Sequence, residues 1–322
     1  MLYVKIARRS YTAICLIMPF MLLIIISAVL AGSSAFAQEA PLLFSRSGGV
    51  IYLIPKKGLP PLEIARGLQP DMGPDGYSMV YLTEGEATGG SEASMIWIKN
   101  TRTGSVRSVL KAVGRVMDPS WSPDGSHIAF LMFDENYSWS LHVVRPDGSG
   151  FRRIAGHAPG GNGPFLSGPA VWWPDGKSLL THDIQFLYRY DLEGREIERT
   201  PLERFTGKKD SSTSTDRFIP HPVRADLMAF TMSVPGTPLF EKAFNEPNQA
   251  LFVIDLKTDV KKRLTPEDML ATDIHWSKSG DLIFFSGYRD ADINEEYPFK
   301  IYTVDIGTGE IEEICPGEQP SQ

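Results

Sequence analysis

The chain has little cysteine, no sustained helical periodicity and no long run of one charge. Its two cysteines are Cys15 and Cys315. Cys15 lies in an apolar stretch that reads as a leader, so processing leaves Cys315 alone and excludes an intramolecular disulfide. Stability must then come from packing, and a mature chain of about 285 residues is long enough to bury a core without covalent staples. The formal net charge is -7, with acids and bases interspersed. The basic runs Lys208-Lys209 and Lys261-Lys262-Arg263 are too short to form a phosphate-binding stripe, so no nucleic acid partner is expected. After residue 37 no stretch carries apolar residues at helical spacing. A Gly-x-Ser-x-Gly nucleophile elbow is absent, and no two histidines have the close spacing of a metalloenzyme motif.

What is present begins at the N-terminus. Lys5, Arg8 and Arg9 precede an apolar run over residues 11–30, and Ala35-Phe36-Ala37 follows. A basic region, an apolar segment and small residues at the cleavage positions describe a secretory signal, with cleavage expected after Ala37. The apolar run is long for a signal, and retention as an N-terminal anchor is the alternative. The expected organisation is a signal helix over 1–37 and one domain over 38–322.

That domain repeats. Trp121-Ser122-Pro123-Asp124-Gly125 leads into the strand-like Ile128-Ala129-Phe130-Leu131, then Leu141-His142-Val143-Val144, the turn Pro146-Asp147-Gly148, and Phe151-Arg152-Arg153-Ile154. Gly73-Pro74-Asp75-Gly76, Trp172-Trp173-Pro174-Asp175-Gly176, Pro220-His221-Pro222 and Trp276-Ser277-Lys278-Ser279-Gly280 introduce the same order elsewhere. With Pro74, Pro123, Pro174, Pro222 and Lys278 equivalent, the intervals are 49, 51, 48 and 56 residues. Proline presets φ, aspartate tolerates the next position, and glycine takes the left-handed conformation, so the motif reverses a hairpin. Four short antiparallel strands repeated at this period predict a β-propeller. Residues 42–66 hold three strands without an innermost one, and residues 315–322 stand where another innermost strand would begin. The tail is therefore expected to complete the first blade, giving six blades and no free sheet edge.

The repeat over residues 121–154 resembles that of the bacterial periplasmic protein TolB, and the similarity spans essentially the whole exported chain. Related repeats form the propellers of prolyl-oligopeptidase-type peptidases and of pectate-fragment lyases. The resemblance implies an all-β, six-bladed propeller. It departs from TolB in lacking the α/β domain before the propeller, and from the peptidases in lacking a hydrolase domain after it.

Alternating strand direction puts the long connections at residues 83–94, 156–168, 204–216, 234–249 and 288–299 on one face, the expected recognition surface. Phe240 and Phe244, four apart, and Tyr137 and Trp139 are candidate anchors there; folding back onto their own blades is the plainer reading. Asp290, Asp292 and Asn294 alternate like the start of a calcium loop, but the bend glycine is missing and Ile301 stands at the twelfth position. His182, His221 and His275 come from three consecutive repeats near inner strands, where the lyases gather histidines on a metal. Solvated loops and ordinary hydrogen bonds are the simpler readings, so no cofactor is expected, with Ca2+ or another divalent cation as the alternative. The expected function is a protein-binding or scaffold module of the cell envelope, non-catalytic, with an envelope protein or lipoprotein as partner. A glycan-binding or metal-dependent polysaccharide-lyase-like propeller is the alternative, with a cell-wall glycan as ligand. Contact with the membrane is expected only through an uncleaved N-terminal segment.

Overall fold

The turn motif explains the hairpins that start each repeat. In the computed structural model Asp75 Oδ1 accepts the backbone N–H groups of Tyr77 and Ser78 at 2.9 and 2.7 Å. Asp124 and Asp175 accept those of Ser126 and Lys177 at 3.0 and 2.8 Å. The aspartate side chain thus substitutes for a strand partner while the chain turns. Gly76, Gly125 and Gly176 close these turns at φ of 75°, 71° and 68°. The structure describes residues 40–86, 92–133, 138–157, 163–207, 213–234, 248–295 and 297–322.

Six four-stranded antiparallel sheets follow from these turns. Numbering blades by their second strands, the innermost strands are Glu318–Ser321, Leu68–Met72, Arg115–Trp121, Val171–Trp172, Phe218–Pro220 and Met269–Trp276. Blade one is the shared blade: its inner strand comes from the C-terminus, with Leu43 opposite Ser321 and Ser45 opposite Glu318. The shared strand starts at Glu318, whereas Cys315 and Pro316 belong to the outer strand of blade six, Ile311–Pro316. Gly67 and Gly317 open the inner strands of blades two and one at φ of 155° and 156°. A Cβ at Gly67 would collide with the Leu82 carbonyl and one at Gly317 with the Phe44 ring, so the tail enters its blade as an internal repeat does.

The core is divided among the seams between blades. Successive residues of a strand point to opposite faces, and both faces of each blade are covered by a neighbour. Ile128 and Phe130 pack with Val80, Ile96 and Ile98 of blade two. The intervening Ala129 and Leu131 pack with Leu179 and Tyr188 of blade four. Leu43 faces blade two, while Leu42 and Phe44 face blade six. This is why Ile128-Ala129-Phe130-Leu131 and Leu282-Ile283-Phe284-Phe285 read as unbroken apolar runs. Tryptophans at inner-strand ends bond the preceding blade: Trp172 Nε1 donates to Ser120 O at 3.1 Å and Trp276 Nε1 to Ile219 O at 3.0 Å. The α-helix among the described residues, Glu203–Thr206, has four residues. No helix among the described residues is long and apolar enough to cross a membrane.

Candidate binding site on the propeller axis

Each inner strand, with the residues that lead into it, brings two side-chain positions to the axis, at a fixed offset from the turn motif. The first lies five residues before the turn proline or its equivalent: Gln69, Asp118, Pro169, Arg217 and Asp273, with Gln319 supplied by the tail. The second lies two residues further on: Asp71, Ser120, Val171, Ile219 and His275, with Ser321 from the tail. Both rings line one central cavity of about 250 Å³. The first ring sits at the loop-face end of the inner strands and the second one step toward the turn face.

A bulge aims the first ring. Gln69, Asp118, Asp273 and Gln319 adopt left-handed φ of 50°, 52°, 46° and 55°. The strand register shifts at each of them. An extra residue of this kind re-aims a side chain without ending the strand, and bulges concentrate at such rims. Non-glycine residues hold this conformation only where their surroundings enforce it. Here a relay across blades does so. Gln319 Oε1 accepts the Gln69 N–H at 3.2 Å, and Gln69 Oε1 accepts the Asp118 N–H at 2.9 Å. In the second ring Ser321 Oγ accepts the Met72 N–H at 2.9 Å and donates to Asp71 Oδ1 at 2.7 Å. Asp71 Oδ2 accepts the Trp121 N–H at 2.8 Å.

The cavity is two-sided. Pro169, Ala170, Val171 and Ile219 form an apolar sector, while blades six, one, two and three supply the acids, amides and His275. Arg217 stands between them, 3.7 Å from Asp273. Burial pushes the Asp273 carboxyl up, Asp118 adds to this, and Arg217 opposes it. Burial, with Asp273 close by, also raises Glu318. His275 Nε2 lies 3.7 Å from Asp71 Oδ1. Two walls of different polarity hold a ligand in one orientation. A second depression of about 170 Å³ starts at Gln69 and Gln319 and passes Leu82 to reach Glu84 and Arg115. Phe165, Ile184 and Tyr297 stand exposed on the loop-face connections.

Of the three histidines singled out above, only His275 reaches the cavity. His182 is buried, its ring nitrogens 2.8 and 3.0 Å from the carbonyls of Asp183 and Asp216, which ties the chain entering blade five to blade four. His221 occupies a turn, where Nδ1 accepts the N–H groups of Val223 and Arg224. The structure does not bring these three rings together. Among the described residues no group of three or more histidines, cysteines or carboxylates is placed to hold a metal ion. Asp290 and Asp292 lie in a 3-10 turn, and Asp292 faces Lys300 at 3.3 Å, as Glu295 does at 3.5 Å. Asn294 follows that turn. Trp139 is half-buried against Phe133, with ring centroids 5.0 Å apart, and joins the core between blades three and four. Tyr137, Phe240 and Phe244 fall outside the described residues.

The sequence reading missed the two axial rings, although a signal existed: Gln69-Pro70, Asp118-Pro119 and Gln319-Pro320 share one dipeptide pattern.

The chain matches no family model. Over 112 residues it is 30% identical to the uncharacterized peptidase YuxL of Bacillus subtilis (strain 168), a stretch covering 34% of this chain and 16% of that protein. Crystallographic TolB from Acinetobacter baumannii superposes with a TM-score of 0.60 at 16% identity, covering 88% of this chain and 66% of the other. A putative TolB from Agrobacterium tumefaciens superposes with a TM-score of 0.55 at 16% identity, covering 87% and 90%. These similarities establish a TolB-like six-bladed propeller fold.

Proposed function

We propose that this chain is an exported binding propeller of the cell envelope that captures a segment of a partner protein at the axial cavity from the loop face. The observation that carries the reading is the two-sided cavity: an apolar wall from blades four and five faces a polar wall from the other four. A site of this kind grips an apolar side chain while bonding the polar groups beside it. The neighbouring depression offers a track for the rest of an extended segment, with Glu84 and Arg115 at its outer end. The expected envelope location comes from the signal-like N-terminus.

The test is affinity capture of the tagged chain from its own membranes under mild crosslinking, followed by mass spectrometry, with Val171→Asp and Arg217→Ala beside the native chain. One reproducible partner, lost in both variants while they remain folded, supports the reading. A partner retained by both variants overturns the axial assignment. An empty capture together with saturable binding on a glycan panel replaces the protein partner with a sugar.

A further inference from the structure

Three of the six seams between blades follow one plan, and the seam between blades four and five departs from it in two ways. At three seams the inner strand ends in a tryptophan wedged against the preceding blade. Trp121 shares its core cluster with Val80, Ile96 and Ile98. Trp172 does so with Ala129, Leu141 and Val143, and Trp276 with Ala229, Leu251 and Val253. The strand registers make these three trios equivalent.

Between blades four and five the wedge position is Pro220, and the matching trio is Leu180, Leu187 and Arg189. A cavity of about 290 Å³ lies there, lined by that trio with Trp173, Phe205 and Met228. The backbone has changed in step. At the wedge position of blades two and three, the N–H is bonded by Ser321 and Asp71 from the preceding blade. Proline has no N–H to bond, and blade four offers Val171 at the corresponding place.

Arg189 is the second departure, a cation where the three tryptophan seams carry Ile98, Val143 and Val253. Its side chain is 19% exposed, and its guanidinium lies 4.0 Å from the centre of the Trp173 ring. Nε donates to Ser178 Oγ at 2.8 Å and Nη2 to Asp175 Oδ2 at 3.3 Å, which uses two donors of a five-donor fork. Arg204, held by Asp259 at 2.7 Å, and Glu198, which pairs across the strands with Arg189 and accepts the Thr200 hydroxyl at 3.2 Å, also line the cavity.

We propose that this seam is a pocket for a small flat aromatic carboxylate of two fused rings. The ring takes the place that the wedge indole holds at the three tryptophan seams, and the carboxylate meets Arg189. The chain's own repeats supply the template: the three tryptophan seams show a shape that this layer packs. An apolar cavity of about 150 Å³ accepts benzene, so this one has room for a bicyclic ring. Guanidinium groups both stack on aromatic faces and bond carboxylates in a fork.

The test is a titration of the methyl-labelled chain with indole-3-carboxylate, indole and cyclohexanecarboxylate, read at the methyls of Leu180, Leu187 and Met228. Saturable shifts are expected with indole-3-carboxylate and not with cyclohexanecarboxylate. Arg189→Val, which restores the aliphatic residue of the tryptophan seams, should weaken the carboxylate probe at least about tenfold, the loss of one charge-assisted contact. It should leave indole nearly unchanged. Pro220→Trp restores the wedge tryptophan and Met228→Trp puts an indole at a residue that lines the cavity; each should abolish binding of both aromatic probes, and circular dichroism identifies which of the two is folded. No saturable shift at millimolar indole-3-carboxylate overturns the proposal. So does undiminished binding to a folded, indole-filled variant, or equal binding of cyclohexanecarboxylate.

Discussion

Replacing a wedge tryptophan by phenylalanine separates the volume of the ring from its hydrogen bond. Trp276 is almost fully buried, and its Nε1 donates to Ile219 O at 3.0 Å. Phenylalanine there loses part of the buried ring, about 1 kcal/mol at about 25 cal/mol per Å². It also loses the bond, about 1 kcal/mol and up to about 3 if the carbonyl is left dry. The sum is about 2–4 kcal/mol, or roughly 3–7 °C in Tm for a chain of this size. Trp121 stands at the same repeat position, but its Nε1 is buried and meets no acceptor among the described residues. Phenylalanine removes that unsatisfied donor along with the lost area, so the two effects oppose and the net change is within about 1 kcal/mol. Trp172 donates to Ser120 O at 3.1 Å and should behave like Trp276. Urea unfolding of the exported chain, followed by circular dichroism, reads all three. Unchanged m-values would show that stability alone has moved. If Trp121→Phe destabilises as much as Trp276→Phe, the indole bonds between blades are not what separates these seams.

Other consequences can be measured separately. Burial pushes the Asp216 carboxyl up to about 6, against the opposing bonds from Thr213 and Gln249. The folded chain therefore holds this proton more tightly than the unfolded one. The stability contributed by this group is present at acid pH and is lost as pH rises through about 6. Relative to Asp216→Asn, the native chain should lose on the order of 1 kcal/mol between pH 5 and pH 8 in unfolding titrations; a pH-independent difference would refute this. Burial pushes the Cys315 thiol up to about 11. Alkylation at pH 8 should be on the order of a hundredfold slower in the native chain than in urea, as followed by mass spectrometry. Removing residues 318–322 deletes the inner strand of blade one and its bonds to Asp71 and Met72. Light scattering and thermal melts should show a lower Tm and self-association through the freed edge; a monomer of unchanged Tm would refute closure by the tail. Phe240→Ser with Phe244→Ser should weaken partner capture without lowering Tm, and a Tm loss with capture intact would assign both rings to the core.

The Pro-Asp-Gly turns could be read from the sequence because their cause is local. Proline, the aspartate side chain and left-handed glycine act within five residues, so Pro123-Asp124-Gly125 specifies its hairpin without help. Blade number and closure followed from the period near fifty and from an inner strand missing at one end and available at the other. The axial rings could not be read in the same way. Gln69 and Asp118 are separated by 49 residues, yet they bond each other because ring closure stacks equivalent positions around one axis. The histidine grouping failed for the matching reason. Consecutive repeats place His182 at the end of a second strand, His221 in a turn and His275 on an inner strand, so similar rank in sequence did not make them neighbours.

By itself, the sequence determined the strand order and the turn faces, since these depend on turn chemistry and on strands that alternate in direction. The tertiary structure alone decided which polar residues meet at the axis, that Asp292 and Glu295 face Lys300, and that the seam at Pro220 holds a cavity. Those outcomes depend on how blades pack against one another, and a repeat pattern records the plan of a seam without recording whether its volume is filled.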